Sequence, residues 1–258
     1  MQTPKNNATE RHSNLPSAGY DHSMISMHPL LTVGIFATWI LCSGVYAEPL
    51  PKELPVGFVH LDEEDPTILV DLKYATDNNF VGERIEGYQA TRAVMTEATA
   101  KALKQVQADL HELGYGLKVF DAYRPQRAVN HFVRWGRDLK AKGTKSEYYP
   151  EVPKEELFRR GYIATKSGHS RGSTIDVTLV KLDSPQKSQE VDMGTPFDFF
   201  DQQSWPFSRT VTDQQRENRL LLRTHMKNNG FRPYDREWWH FTLTNEPFPS
   251  TYFDFPIK

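Results

Sequence analysis

The chain has one cysteine in 258 residues, Cys42. A disulfide framework and a thiolate-rich metal site are therefore both excluded, and any metal must be held by histidine and carboxylate. Long apolar runs are also missing. The longest apolar run, Leu30–Cys42, has 13 residues, short of the roughly 20 that a membrane-spanning helix needs. Neither sign of charge is in excess: 31 Lys and Arg against 33 Asp and Glu give a formal net charge of -2. That balance leaves no electrostatic footprint for nucleic acid, and no block of like charge suggests a polybasic membrane patch. There is no internal repeat and no low-complexity segment of consequence. These absences point to a small partner, bound locally at a site.

The N-terminus departs from this uniformity. Residues 1–28 are polar and irregular and read as disordered. The apolar run that follows has the length of a secretory signal core, and Val45 and Ala47 stand at the small-residue positions of a signal-peptidase site. Cleavage is expected after Ala47, which divides the chain into an extension with signal peptide (1–47) and one domain (48–258). His28 is the only basic residue close before the run, and a start at Met24 or Met27 would make a more compact signal. Leu41 before Cys42 is too large for a usual lipoprotein site. The expectation is an exported, periplasmic protein with no stable membrane anchor after cleavage, or a cytoplasmic one if the extension is not a working signal.

About 200 mature residues suffice for one domain with its own core. Thr67–Tyr74 and Gly116–Tyr123 read as strands. Thr96–Leu113 reads as an amphipathic helix, with Thr96 as cap, Leu103, Val106, Leu110 and Leu113 on its buried stripe, and Gly114 as stop. Pro125 opens a second helix whose buried face includes Ala128, Val129, Phe132, Val133 and Leu139, continuing to Gly143. A turn-rich insertion, Thr144–Glu156, leads to a short helix near Glu155–Arg160. Asp176–Val180 is a buried strand, Asp183–Trp205 a long irregular loop, Thr212–Asn228 a helix with a Thr212–Gln215 capping box, and Trp238–Thr242 the last strand. This pattern predicts an α+β domain: a small central antiparallel sheet with flanking helices.

Two short segments carry the chemistry. In SGHSRGSTIDVTL (Ser167–Leu179) six residues separate His169 from Asp176, and in REWWHFTL (Arg236–Leu243) Glu237 stands three residues ahead of His240. A catalytic zinc takes about three protein ligands and keeps one position open for water. His169, Asp176 and His240 supply three, and Glu237 is placed to take a proton from the activated water. Each part has a plainer reading: a histidine beside a glycine turn is commonly a surface residue, an Asp at a strand edge often caps a turn, and Trp238-Trp239 suits a core. It is the combination that points to a metal. Glu237 and His240 cannot share a face of a straight strand, where side chains alternate. If both face the metal, a bend or bulge must fall within Glu237–His240.

With VDLKYATDNNFVG (Val70–Gly82), DAYRPQRAVNHFVRW (Asp121–Trp135), SEYYP (Ser146–Pro150), DMGTPFDFFD (Asp192–Asp201) and TYFDFP (Thr251–Pro256), the chain resembles the zinc D-alanyl-D-alanine dipeptidases, the VanX-type enzymes known from vancomycin resistance. These belong to a fold group shared with D-Ala-D-Ala carboxypeptidases and hedgehog domains. The resemblance implies one zinc per chain on His169, Asp176 and His240, with Glu237 as general base and Arg124 steadying the oxyanion. It also implies that Asp121 orients Arg124 at the substrate, and that Ser167, Tyr74 and Asp198 hold the dipeptide, Asp198 facing its free ammonium. Outside the resemblance, Arg124 could pair with a helix terminus, Asp198 could cap its loop and Tyr74 could be core. The implied reaction is hydrolysis of D-Ala-D-Ala to two D-alanines. The alternatives are a peptidoglycan-processing D,D-carboxypeptidase or endopeptidase, or a zinc-stabilised binding domain without catalysis. Two positions depart from the family pattern: Asp77, where an aromatic residue is expected, and Gly168, where a second serine is common.

Overall fold

Central in the fold is a five-stranded sheet in the order β2-β4-β5-β7-β6, in a computed structural model that describes residues 54–182 and 189–258. Its strands are β2 (Leu69–Val70), β4 (Tyr115–Asp121), β5 (Thr174–Lys181), β6 (Phe231–Pro233) and β7 (His240–Leu243). A separate two-stranded ribbon pairs β1 (Phe58–His60) with β3 (Val94–Thr96). The expected signal core and the cleavage point after Ala47 lie outside the described residues, as does part of the loop 183–205. Among the described residues no helix is long and apolar enough to cross a membrane.

The helices are α1 (Leu61–Glu64), α2 (Glu97–His111), α3 (Gln126–Arg137), α4 (Lys145–Tyr148) and α5 (Asp213–Asn228). Caps fix α2 and α5 where the sequence places them. The Thr96 hydroxyl accepts from the Thr99 N–H at the start of α2, and Thr212 and Gln215 form a reciprocal capping box at the start of α5. Each such cap contributes about 1 kcal/mol. Leu103, Val106 and Leu110 of α2 and Leu222 and Met226 of α5 are fully buried, and both helices pack on the sheet and on each other.

Several expectations are corrected. The sheet is not wholly antiparallel, because β2 runs parallel to β4. Only Leu69–Val70 of Thr67–Tyr74 is strand. The chain then turns into a 3-10 turn over Lys73–Ala75, which carries the Tyr74 side chain away from the strand direction. Leu113 is half exposed, since α2 ends at His111 and Leu113 falls in the turn closed by Gly114 at φ 80°. Leu139 is half exposed for the same reason: Asp138 adopts an extended backbone and ends α3 six residues before Gly143.

β5 is the central strand and is buried along its length except at Lys181. It pairs antiparallel with β4 on one side and β7 on the other, so Asp176 sits in register between Asp121 and His240. A register shift between Val119 and Asp121 is a β-bulge, a device that re-aims side chains at the end of a strand. At the other flank, Trp238 and Trp239 form a turn and β7 begins only at His240. This is the bend required between Glu237 and His240. The C-terminal tail closes the same end of the sheet. The Phe253 N–H donates to the Ser170 carbonyl, and Phe253 and Phe255 join an aromatic cluster around Phe58 and Tyr123.

Candidate metal centre and active site

Three donor atoms converge where β5 and β7 meet the 3-10 turn Gly168–Arg171. His169 Nε2 lies 3.3 Å from Asp176 Oδ2 and 3.3 Å from His240 Nδ1, and His240 Nδ1 lies 3.0 Å from Asp176 Oδ1. Residues of three separate segments reach one point because the sheet register sets Asp176 beside His240, while Ser167 opens the turn by accepting from the His169 N–H. The far nitrogen of His169 is already committed, with Nδ1 donating to the Ala122 carbonyl at 2.7 Å. That contact fixes the tautomer and leaves Nε2 unprotonated and free to bind a metal. His169 and Asp176 are buried, and His240 is partly open. Two imidazoles and one carboxylate with an open side fit a catalytic zinc.

The electrostatics of His169 and Asp176 agree with that fit, whereas at His240 burial is outweighed by the Asp176 hydrogen bond and the Asp176 and Glu237 charges, which raise its pKa. Burial lowers the pKa of His169, which keeps its imidazole neutral. Burial opposes the Asp176 charge, but the two imidazoles outweigh it and hold its carboxyl below the usual carboxylate range. Glu237 stands apart from the triad, with Oε2 3.6 Å from His240 Nδ1. Burial, reinforced by the Asp176 charge, pushes Glu237 up to about 7. A carboxylate poised there exchanges protons readily at neutral pH.

Arg124 crosses the opposite wall. Its Nε and Nη2 both reach Asp121 Oδ2, at 2.9 and 2.8 Å, and Nη2 is 3.5 Å from Asp176. The guanidinium lies over the rings of Tyr74 and Phe132. Asp121 is fully buried and accepts from the Tyr88 hydroxyl at 2.6 Å, so it sits behind Arg124 and does not line the cavity. Tyr88 is a member of this chain of contacts that sequence reading missed; nothing in its local sequence marks it.

Glu237, Arg124, Asp198, Ser167 and Tyr74 all line one cavity of about 350 Å³ together with the three donors. That volume is near the small end of the range for ligand pockets, about 300–1,000 Å³. Aromatic side chains of Phe80, Phe132, Tyr162, Phe200, Tyr234 and Trp239 supply much of the remaining wall. Tyr74 is both core and site: its ring is buried among Phe80, Tyr88 and Phe132, and its hydroxyl donates to Asp198 Oδ2 at 2.7 Å. Asp198 holds a left-handed backbone at φ 59°, the only non-glycine residue to do so among the described residues. Burial and the nearby Asp176 charge raise its pKa well above the usual value, as expected of an acid that lacks a counter-charge.

Gly168, one of the two departures from the family pattern, has a structural explanation. A Cβ there would lie 2.5 Å from Thr174 Oγ1, and that hydroxyl is hydrogen-bonded to Thr242. Gly168→Ser is expected to cost about 1–3 kcal/mol through overpacking. In thermal denaturation of the metal-loaded protein, Gly168→Ser with Thr174→Ala should be more stable than the sum of the two single effects. Simple additivity would show that Thr174 is not what excludes a side chain at 168.

The comparisons with known proteins agree with this geometry. A peptidase family M15 profile described as D-ala-D-ala dipeptidase matches residues 55–258. D-alanyl-D-alanine dipeptidases from Enterococcus faecium and Enterococcus faecalis are 42% and 43% identical to the chain, over 80% and 78% of it and 100% and 98% of their own lengths. The counterpart from Streptomyces coelicolor is 44% identical over 78% of this chain and 98% of its own. A zinc-bound vancomycin-resistance D,D-pentapeptidase aligns over 69% of this chain and 88% of its own at 13% identity and a TM-score of 0.38, too distant a likeness to argue from. With the family profile spanning the domain that holds the triad, the chain belongs to the D-Ala-D-Ala dipeptidase family of M15 peptidases.

Proposed function

We infer that this protein hydrolyses D-Ala-D-Ala to two molecules of D-alanine, with zinc held by His169, Asp176 and His240. The observation that carries the reading is one small cavity containing the three donors, a partly buried proton-exchanging acid and a fixed guanidinium. Zinc, when bound, supplies Lewis-acid polarisation of the carbonyl and a water acidic enough to attack near neutral pH. Glu237 accepts the proton of the attacking water and delivers it to the amide nitrogen as the C–N bond breaks. Arg124 donates hydrogen bonds to the oxyanion that forms at the carbonyl. Asp121 and Tyr88 hold the guanidinium in place, so little reorganisation is needed during the reaction.

Asp198, buried and hydrogen-bonded only by Tyr74 among the described side chains, is the partner for the free ammonium of the dipeptide. In a longer peptide that nitrogen is an uncharged amide, and Asp198, whose pKa burial already raises, would lose the counter-charge that keeps it ionised and the ion pair that holds the dipeptide. Purified zinc-loaded protein should therefore release D-alanine from D-Ala-D-Ala with a far higher kcat/KM than from a pentapeptide ending in D-Ala-D-Ala. Asp198→Ala should narrow that gap by weakening the dipeptide. Comparable kcat/KM on both substrates in the wild type would favour a peptidoglycan-processing carboxypeptidase instead.

We also propose that Leu30–Cys42 is the core of an export signal and that the working enzyme is periplasmic, comprising residues 48–258. The support is the length of the run, the small residues Val45 and Ala47, and a family profile that begins only at residue 55. N-terminal sequencing of the exported protein should read from Glu48. Uncleaved chain confined to the cytoplasm would overturn the proposal.

A further inference from the structure

A dipeptide bound as the Proposed function describes carries a carboxylate as well as an ammonium. The carboxylate belongs to the leaving residue and lies within about one residue length, roughly 3.5 Å, of the scissile bond. It must therefore enter a cavity whose walls already hold three acids, Asp176, Asp198 and Glu237. Two cationic side chains line the same cavity, Arg124 and Lys166. Arg124 is committed: it is tied to Asp121 through two nitrogens and is assigned to the oxyanion. Lys166 is not. Among the described residues no carboxylate lies within ion-pair distance of it. Its ammonium stands over the Tyr252 ring, 4.8 Å from the centroid. The same ring carries the Arg171 guanidinium at 5.7 Å, and Arg171 takes both oxygens of Glu246 at 2.7 Å. The neighbouring acid is thus neutralised by another cation, which leaves Lys166 poised on an aromatic face beside Ser167 and three residues before His169.

We propose that Lys166 takes the terminal carboxylate of the substrate and makes the enzyme selective for a free C-terminal acid. The inference rests on the dipeptidase reading and adds the recognition of the second charged end. A lysine suits the task, because a flexible stem with three donors can follow a carboxylate that moves as the peptide bond is broken. The Tyr252 ring holds the ammonium by a cation–π contact, with no acid to compete for it, before substrate arrives.

The test pairs the lysine with the charge it is assigned to. D-Ala-D-Ala and D-alanyl-D-alaninamide are compared on wild type, Lys166→Met and Lys166→Arg, the amide being read as KM if cleaved and as Ki if it only competes. Lys166→Met should raise KM for D-Ala-D-Ala about tenfold, the scale of one charged hydrogen bond. It should change kcat less than about twofold and leave the amide's constant where it was. Lys166→Arg should recover most of the affinity. An equal change on the acid and the amide, or no change on the acid, would overturn the assignment. Absence of D-Ala-D-Ala hydrolysis in the wild type would instead remove the dipeptidase reading, and this inference with it.

Discussion

Glu237→Gln should retain zinc and the fold while kcat falls by about 10²–10⁴, the range typical of a lost general base. In barrier terms this is about 2.7–5.4 kcal/mol at 1.36 kcal/mol per decade. The geometry explains why metal binding is spared. Glu237 belongs to the segment before the Trp238–Trp239 turn, and its carboxylate is not among the three donors that converge. Glutamine keeps the shape and the place in the cavity but cannot accept the proton. The loss should fall on kcat with KM little altered, since proton transfer is a transition-state event. Metal analysis and steady-state kinetics on the same preparation decide it. Wild-type turnover in Glu237→Gln would sink the assignment, and loss of zinc would move Glu237 into the ligand set.

Arg124→Lys should be nearly as damaging although the charge is kept, with kcat down about 10²–10³, the usual cost of one oxyanion donor. A planar fork can hold Asp121 and a reacting oxygen together, whereas an ammonium is a point charge on a flexible stem. The side chain is largely buried against Tyr74 and Phe132, so a lysine would also lose the stacking that fixes its direction. Apart from the imidazole of His169, whose Nδ1 lies 3.3 Å away and which burial keeps neutral, Asp121 has no group but Arg124 within ion-pair distance among the described residues, so a poorly seated lysine would leave a buried carboxylate short of its partner. Recovery of more than about half the activity in Arg124→Lys would mean that Arg124 acts only as positive charge near the metal.

The two site motifs were legible because their chemistry is local. His169 with Asp176 and Glu237 with His240 are close in sequence, and the turn glycines and apolar flanks around them signal rigid placement. A bend or bulge between Glu237 and His240 followed from strand periodicity once both residues were set to face the metal. Other members of the site carried no such signal. Tyr88 is an ordinary tyrosine in an irregular segment until the fold brings its hydroxyl to Asp121, 33 residues away. The Ala122 carbonyl that sets the His169 tautomer is a backbone atom and has no sequence signature. Lys166 is one lysine among many until the cavity forms around it. The misread leucines have a common cause: helical spacing continues past the point where a left-handed glycine or an extended Asp138 ends the helix, so Leu113 and Leu139 looked buried.

The sequence by itself determined the residue types able to hold a zinc, the helix caps at Thr96 and Thr212, the α+β class and the family to which the domain belongs. These depend on local composition, short-range spacing and quoted motifs. The tertiary structure alone decided which atoms meet. Strand register set Asp176 between Asp121 and His240, and the side-chain period of two means that a one-residue slip would have turned that carboxylate to the opposite face. It also decided that β2 pairs in parallel, that Asp121 lies behind Arg124 and not among the residues lining the cavity, and that the tail seals the His169 turn. Each of these is a contact between residues far apart in the chain. Loop closure and burial select such contacts for the whole fold at once, and no single segment encodes them.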